Sequence, residues 1–400
     1  MSKVNWNFYT KNGFEPLINV NGTMTGIGAS RAVPQAVAAT AEIMPHFVNM
    51  HELQAKASKV IAAATGAEAG FIAASASAGI SMAVAGCITG LNVGHVEQLP
   101  QTSEKNKVAV QMGHLCNYGA SIEQAVRLTG AEVSIVGQST QTLDHQLQAA
   151  LDDHVVAAIY VVSHHVVEYG QMPLKRFCEI CHNSNVPVIV DAASEYDLQI
   201  FLAQGADIVI YSGHKFLGGP TSGIVAGKRD LIKAAYIQNL GIARGMKIGK
   251  ESIFGAMAAL TAWASRDHAA IRQQEQAALS LWAKACHGFK GIDTNIQADV
   301  THNPLDRLKI TVDSAKANAS PAAIAHALGQ FEPQILVRDH EVELGYIQLD
   351  PCNLADGHAE IVASALKQVL QKAAKSQLQE PDTNLMRNAG IQSYLNWNSD

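Results

Sequence analysis

From about residue 55 to residue 230 the chain alternates short apolar, β-branched runs with stretches of helical periodicity. No other feature constrains the fold as strongly. A run that is apolar at nearly every position, rather than at every second one, has to be covered on both faces. Seven such runs read as strands: GFIAA (70–74), VAVQM (108–112), EVSIV (132–136), VAAIYVVS (156–163), PVIVD (187–191), DIVIY (207–211) and GIVAG (223–227). The intervening segments SIEQAVRLTG, TLDHQLQAALDDH and LKRFCEICHNSN have helical spacing. Strand–helix–strand repetition predicts a mostly parallel, seven-stranded sheet in a three-layer α/β domain. The last two runs lie twelve residues apart, too close for a helical crossover, so one strand there is expected to be antiparallel.

Four hundred residues exceed the size at which one core keeps growing. A long helix-forming stretch, Glu251 to Cys286, should lead into a smaller α/β unit containing LDRLKITVD, SPAAIAHALGQ, ILVRDHEVELGYIQLD and HAEIVASALKQVLQKAAK. The expected division is an N-terminal arm over 1–54 that packs partly on the small domain, a large domain over 55–275 and a small domain over 276–400. The polar tail from Ser376 reads as a loose arm or a subunit contact. A net charge of −6 gives no electrostatic reason to expect nucleic acid or an anionic membrane as partner. No apolar run reaches spanning length, and MSKVNWNFYTKNGFEP lacks the apolar core of a signal peptide. Six cysteines in a chain this long do not make a disulfide framework, so a cytoplasmic protein with reduced thiols is expected.

In an open parallel sheet, ligands bind beyond the carboxyl ends of the strands. Four features converge there. The segment IAASASAGISMAVAGC is a strand, a small-residue turn at Ser75–Gly79 and a helix, a combination that can bind an anion. Asp191 ends the apolar strand VPVIVD, either as a helix cap or as partner to a buried cation. Lys215 follows one strand later, in YSGHKFLGGPTSG. Ser212 and His214 flank it, and Gly218 and Gly219 let the backbone approach closely. An amine that attacks a carbonyl must be partly deprotonated, and a desolvated pocket favours that form. A carboxylate facing a pyridine nitrogen keeps the ring protonated, and an anion nest holds a phosphate. Lysine, aspartate and nest together are what pyridoxal phosphate requires. The bland alternatives are a solvated lysine, a helix cap and an ordinary strand-to-helix turn.

The order SASAG, DAASE, SGHK resembles the fold-type I pyridoxal phosphate enzymes. More narrowly, INVNGTMTGIGASRAVPQAV, YSGHKFLGGPTSGIVAGKRDLI and ILVRDHEVELGYIQLD resemble the selenocysteine synthase-like branch, and within it D-glucosaminate-6-phosphate ammonia-lyase and its relatives. The likeness covers about residues 15 to 375. It implies that Lys215 holds the cofactor as a Schiff base and that Asp191 pairs with the ring nitrogen. It further implies that Ser77, Ala78 and Gly79 bind the phosphate with help from Ser212, that Ala193 faces the ring, and that His114 stacks on it. Arg338, ending QILVR, falls where this fold places a clamp for the substrate carboxylate, a task suited to bidentate geometry. Arg244, Lys247 and Arg31 are candidates for a phosphate or second anionic group, and His164 for substrate contact.

Three other patterns compete. CEICH, Cys178 to His182, matches a haem-attachment spacing but lies on an amphipathic helix. SHHVVE offers His164, His165 and Glu168, for which further metal ligands are not apparent, so no metal is expected. GIGASR, Gly26 to Arg31, nearly matches a dinucleotide fingerprint without the surrounding strand–helix unit. The resemblance implies an ammonia-lyase that eliminates the β-hydroxyl of an amino acid, such as an amino sugar acid phosphate. Lys215 would serve as base, and Lys215, His114, His164, His165 or His214 as acid. Racemisation, transamination or β-transfer on the same cofactor are the alternatives, and a non-catalytic protein that kept the fold is the third. The fold-type I pattern also implies a homodimer or higher homo-oligomer with a small-molecule substrate. Selenocysteine synthase itself acts on a tRNA, but here no basic patch rises above background, so no tRNA is expected.

Overall fold

The computed structural model describes residues 6–398 apart from Ser103 and Glu168. It divides into two compact units, one spanning Ser30–Arg266 and the other combining the chain up to Ala29 with the chain from Asp267 onward. The sequence reading drew its edges at 55 and 275 instead. Two local facts move them. Helices Pro34–Ile43 and Met50–Thr65 pack against helix Lys250–Ser265, inside the larger unit. The stretch read as one long helix is two, Lys250–Ser265 and His268–Cys286, because Arg266 is extended. Asp267 then caps the second helix, accepting from the Ala270 N–H at 2.9 Å.

Among the described residues the strands, in chain order, are β1 (Leu17–Val20), β2 (Ala69–Ala73), β3 (Lys107–Gln111), β4 (Glu132–Val136), β5 (Val155–Val161), β6 (Val188–Asp191), β7 (Ile208–Ser212), β8 (Gly223–Gly227), β9 (Ile292–Ala298), β10 (Asp306–Val312), β11 (Gln334–Val337) and β12 (Tyr346–Leu349). The larger unit holds one seven-stranded sheet in the order β2-β8-β7-β6-β5-β3-β4. Its pairs are parallel except at β8, which runs antiparallel to both β2 and β7. The short β7–β8 connection forces that reversal, as its length predicts.

Successive residues of the central strands feed opposite cores. Val188, Val190, Val209 and Tyr211 pack with Phe177 and Cys181 on one face. Ile189, Ile208 and Ile210 pack with Ile80, Met82 and Val84 on the other. Helices on both faces account for the unbroken apolar runs. In the smaller unit β12-β10-β9 form an antiparallel sheet, and β1 pairs in parallel with β11. Its core gathers Trp282, Leu308, Ile347 and Leu366. The polar tail carries a helix, Thr383–Leu395. No helix among the described residues is long and apolar enough to cross a membrane.

Because β2, β3, β5, β6 and β7 run the same way, their carboxyl ends share one edge of the sheet. Gly223 opens β8 at that edge, and a Cβ there would lie 2.1 Å from the Ser75 carbonyl oxygen. We expect Gly223→Ala to destabilise the fold by about 1–3 kcal/mol through overpacking, read as a lower denaturation midpoint. Gly245→Ala, where a Cβ meets nothing within 4 Å, should leave the midpoint essentially unchanged.

Candidate active site

The turn between β7 and β8 is fixed at several points. Gly213 N–H donates to Ser222 O at 2.9 Å, Gly219 N–H to Gly213 O at 2.7 Å, and Gly218 N–H to Lys215 O at 2.9 Å. Gly218 has φ +65°, a left-handed conformation that favours glycine. The Ser30 hydroxyl donates to His214 O at 2.6 Å and Lys215 O at 2.8 Å. The Arg266 guanidinium donates to Phe216 O at 2.8 Å and to Leu217 O. The backbone carrying Lys215 is therefore held from two sides.

Burial pushes the Lys215 amine below the ordinary lysine range, while Asp191, Glu195 and Cys116 oppose that shift. Asp191 ends β6, beside β7, and is itself buried. Its carboxyl is raised to about 6 by burial, against the pull of Lys215 and of the Ala193 N–H, which donates to it at 3.2 Å. The two groups are close enough for each charge to act on the other's protonation.

At the end of β2, Ser75 caps helix Ala76–Thr89 and its hydroxyl accepts from the Ala78 N–H at 3.0 Å. The Gly79 N–H donates to Ser75 O at 3.0 Å, and a Cβ on Gly79 would lie 2.9 Å from Val225 Cγ2. Gly79 thus allows close helix–sheet packing, and its amide and that of Ala78 already have acceptors. The amides of Ala76 and Ser77 have no acceptor among the described residues. These two amides are therefore open at the turn, and the Ser77 hydroxyl beside them accepts from Tyr118 Oη at 3.3 Å.

His114 is buried, which excludes the solvated alternative for it. Its Nδ1 accepts from the Val161 N–H at 3.1 Å, placing the ring proton on Nε2, and its ring meets Tyr160 edge-on at 4.4 Å. Burial lowers its pKa to about 4, so it is neutral at physiological pH. His214 is lowered by burial and by Lys215, and its Nδ1 lies 3.3 Å from Ser212 Oγ. The His164 and His165 rings sit 3.9 Å apart in the loop after β5, while Glu168 lies outside the described residues. Among the described residues no group of three His, Cys, Asp or Glu side chains is placed to hold a metal.

Arg31, Arg244 and Lys247 are exposed on the larger unit. Arg338 belongs to the smaller unit, just past β11, and is 4% exposed. Neighbouring Arg307 is matched by Asp350 at 2.8 Å and by Asp299. Arg338 lies 4.0 Å from Glu341, and among the described residues its Nε has no hydrogen-bond partner. A buried guanidinium left this open is suited to an incoming carboxylate. Cys178 and Cys181 face the core, and burial pushes the Cys178 thiol up to about 12, which suits packing rather than haem attachment. GIGASR forms a 3₁₀ turn, Thr25–Ile27, and a glycine at φ +86° rather than the start of a nucleotide-binding helix.

Four residues that the sequence reading passed over join the site: Ser30, Cys116, Tyr118 and Glu195. Cys116 and Tyr118 follow His114 in the loop beyond β3, and Glu195 lies inside the quoted DAASE. Their position after strand ends was a usable signal. Their neighbours were not legible, since they come from other loops.

A family model described as L-seryl-tRNA selenium transferase (SelA) matches residues 17–328. The chain belongs to that family. It is 34% identical over 92% of its length, and 99% of the relative, to D-glucosaminate-6-phosphate ammonia lyase of Salmonella typhimurium. It is 33% identical over 90% of its length, and 92% of the relative, to 5'-C-glycyluridine monooxygenase-decarboxylase of a Streptomyces species. A solved structure of D-glucosaminate-6-phosphate ammonia-lyase matches with a TM-score of 0.83 and 33% identity, over 93% of this chain and all of that one. Aspartate aminotransferase of Thermotoga maritima matches at a TM-score of 0.55 and 13% identity, covering 91% and 94%. The fold is that of the fold-type I pyridoxal phosphate enzymes, and the chain is a lyase of that cofactor class. The residues fit the cofactor: Ala76 and Ser77 offer unpaired amides to a phosphate, Asp191 a carboxyl to a ring N–H, and Lys215 an amine to an aldehyde.

Asp191 should also set a pH dependence in cofactor-free protein. Its folded pKa lies above its unfolded one, so the folded state holds the extra proton between about pH 4 and 6. Wild type should therefore lose stability relative to Asp191→Asn as pH rises through that window, by about 3 kcal/mol, with a constant gap above it. Urea midpoints at pH 4, 5, 6 and 7 read this directly.

Proposed function

We propose that the protein is a pyridoxal phosphate-dependent ammonia-lyase that removes water and then ammonia from a β-hydroxy amino acid, with an amino sugar acid phosphate such as D-glucosaminate 6-phosphate as substrate. One observation carries the reading: a lysine amine desolvated within the fold interacts with the charge of a buried aspartate, on a backbone matching an ammonia-lyase at a TM-score of 0.83. When bound, the cofactor supplies an electron sink for the carbon that bears the amino group. Lys215, with its lowered pKa, takes the proton from that carbon. The departing β-hydroxyl needs a proton in return. His114 and His214 are both driven toward the neutral form, so the newly protonated Lys215 is the better donor. Asp191 holds the ring nitrogen, Ala76 and Ser77 the cofactor phosphate, and Ala193 and His114 flank the ring. Arg338 takes the substrate carboxylate, and Arg31, Arg244, Lys247 and His164 are the candidates for its remaining polar groups.

A small substrate suits the net charge of −6 better than a tRNA does. We place the protein in the cytoplasm as a homodimer or larger homo-oligomer. Six free cysteines support the first, and the exposed Val37, Met44 and Phe47 support the second.

The test is release of ammonia and a 2-keto acid from D-glucosaminate 6-phosphate and other β-hydroxy amino acids, with no acceptor and under anaerobic conditions. A need for a keto-acid acceptor, or for oxygen, would overturn the lyase reading. Lys215→Ala should lower kcat by about 10²–10⁴-fold. Arg338→Lys, which loses the fork geometry, should raise KM by about tenfold with a smaller effect on kcat.

A further inference from the structure

The loop from Met112 to Ser121 closes on itself. Tyr118 N–H donates to Ala120 O at 3.2 Å, Ile122 N–H to Cys116 O at 3.2 Å, and Gly119 N–H to the Asn117 side chain at 2.8 Å. Asn117 and Ser121 form an isolated antiparallel bridge, and Ser121 caps helix Ile122–Arg127. The tip that carries Tyr118 is thus set by its own hydrogen bonds. From it the phenol crosses to the end of β2 and donates to Ser77 Oγ at 3.3 Å.

We propose that Tyr118 is a positioning residue for the cofactor phosphate, acting through Ser77. This rests on the reading above that the protein binds pyridoxal phosphate. A serine hydroxyl has one proton, and which way it points depends on what its oxygen accepts. With Tyr118 donating to the Ser77 oxygen, the Ser77 proton is turned away from Tyr118 and is free to donate to an anion held by the Ala76 and Ser77 amides. Burial keeps the phenol above its ordinary pKa against the lowering effect of its own bond to Ser77, and nearby Asp191 and Cys116 raise it further, so Tyr118 remains a donor at neutral pH. The phenol thereby links the phosphate end of the site to the ring end, where Asp191 sits.

The test titrates full-length protein, stripped of cofactor, with pyridoxal phosphate and with pyridoxal, which lacks the phosphate. Binding is followed by absorbance, and the bound phosphate by phosphorus NMR. Tyr118→Phe should weaken pyridoxal phosphate binding by about tenfold, leave pyridoxal binding unchanged and shift the phosphorus resonance. Ser77→Ala should weaken it similarly, and the double variant should lose less than the two combined. A Tyr118→Phe protein that binds pyridoxal phosphate like wild type, or that loses both ligands equally, would overturn the proposal. Wild-type protein that takes up no pyridoxal phosphate would overturn the proposed function along with it, an outcome separate from any behaviour of the variants.

Discussion

The site depends on a buried amine and a buried carboxyl at the carboxyl ends of adjacent parallel strands. Neither group is comfortable alone. Desolvation drives Lys215 toward its neutral form and raises Asp191 to about 6. Each restrains the other's shift, because a nearby opposite charge favours ionisation. The protein therefore holds two groups whose protonation is poised, one by burial against a carboxyl and the other by burial against an amine. A pair of this kind contributes little to stability by itself.

The surrounding structure serves to hold that pair. Ser30 and Arg266 are more than two hundred residues apart in sequence, yet both donate to carbonyls of the turn that carries Lys215. Gly213 has no room for a side chain, since a Cβ would lie 2.1 Å from Ser222 Oγ. These contacts fix the lysine backbone, leaving only its side chain to move during a reaction. At the neighbouring strand end, Ser75 caps its helix and leaves two amides open. Rigid placement of this kind is what lets a modest set of groups act together.

Much of this was readable in the chain. The seven strands, the antiparallel β8 and the convergence of Lys215, Asp191 and Ser77 follow from continuous apolar runs and the rule for strand carboxyl ends. Two features were less accessible. Periodicity does not reveal that the stretch from Glu251 breaks at Arg266, because both halves are strong helix formers. Nor does the motif SASAG reveal that the helix starts at Ala76, so that the amides of Ala78 and Gly79 already have partners while those of Ala76 and Ser77 stay open.

The sequence by itself determined the layered α/β architecture and the place of Lys215 between β7 and a glycine-rich turn, because hydrophobic periodicity and glycine placement are local properties of a chain. Only the tertiary structure decided which residues surround that lysine. Cys116 and Tyr118 reach the site from the loop after β3, and Glu195 from the loop after β6. Arg307 is matched by two carboxylates while Arg338 keeps an open donor. Burial and charge pairing are set by neighbours distant in sequence, and no local pattern encodes them.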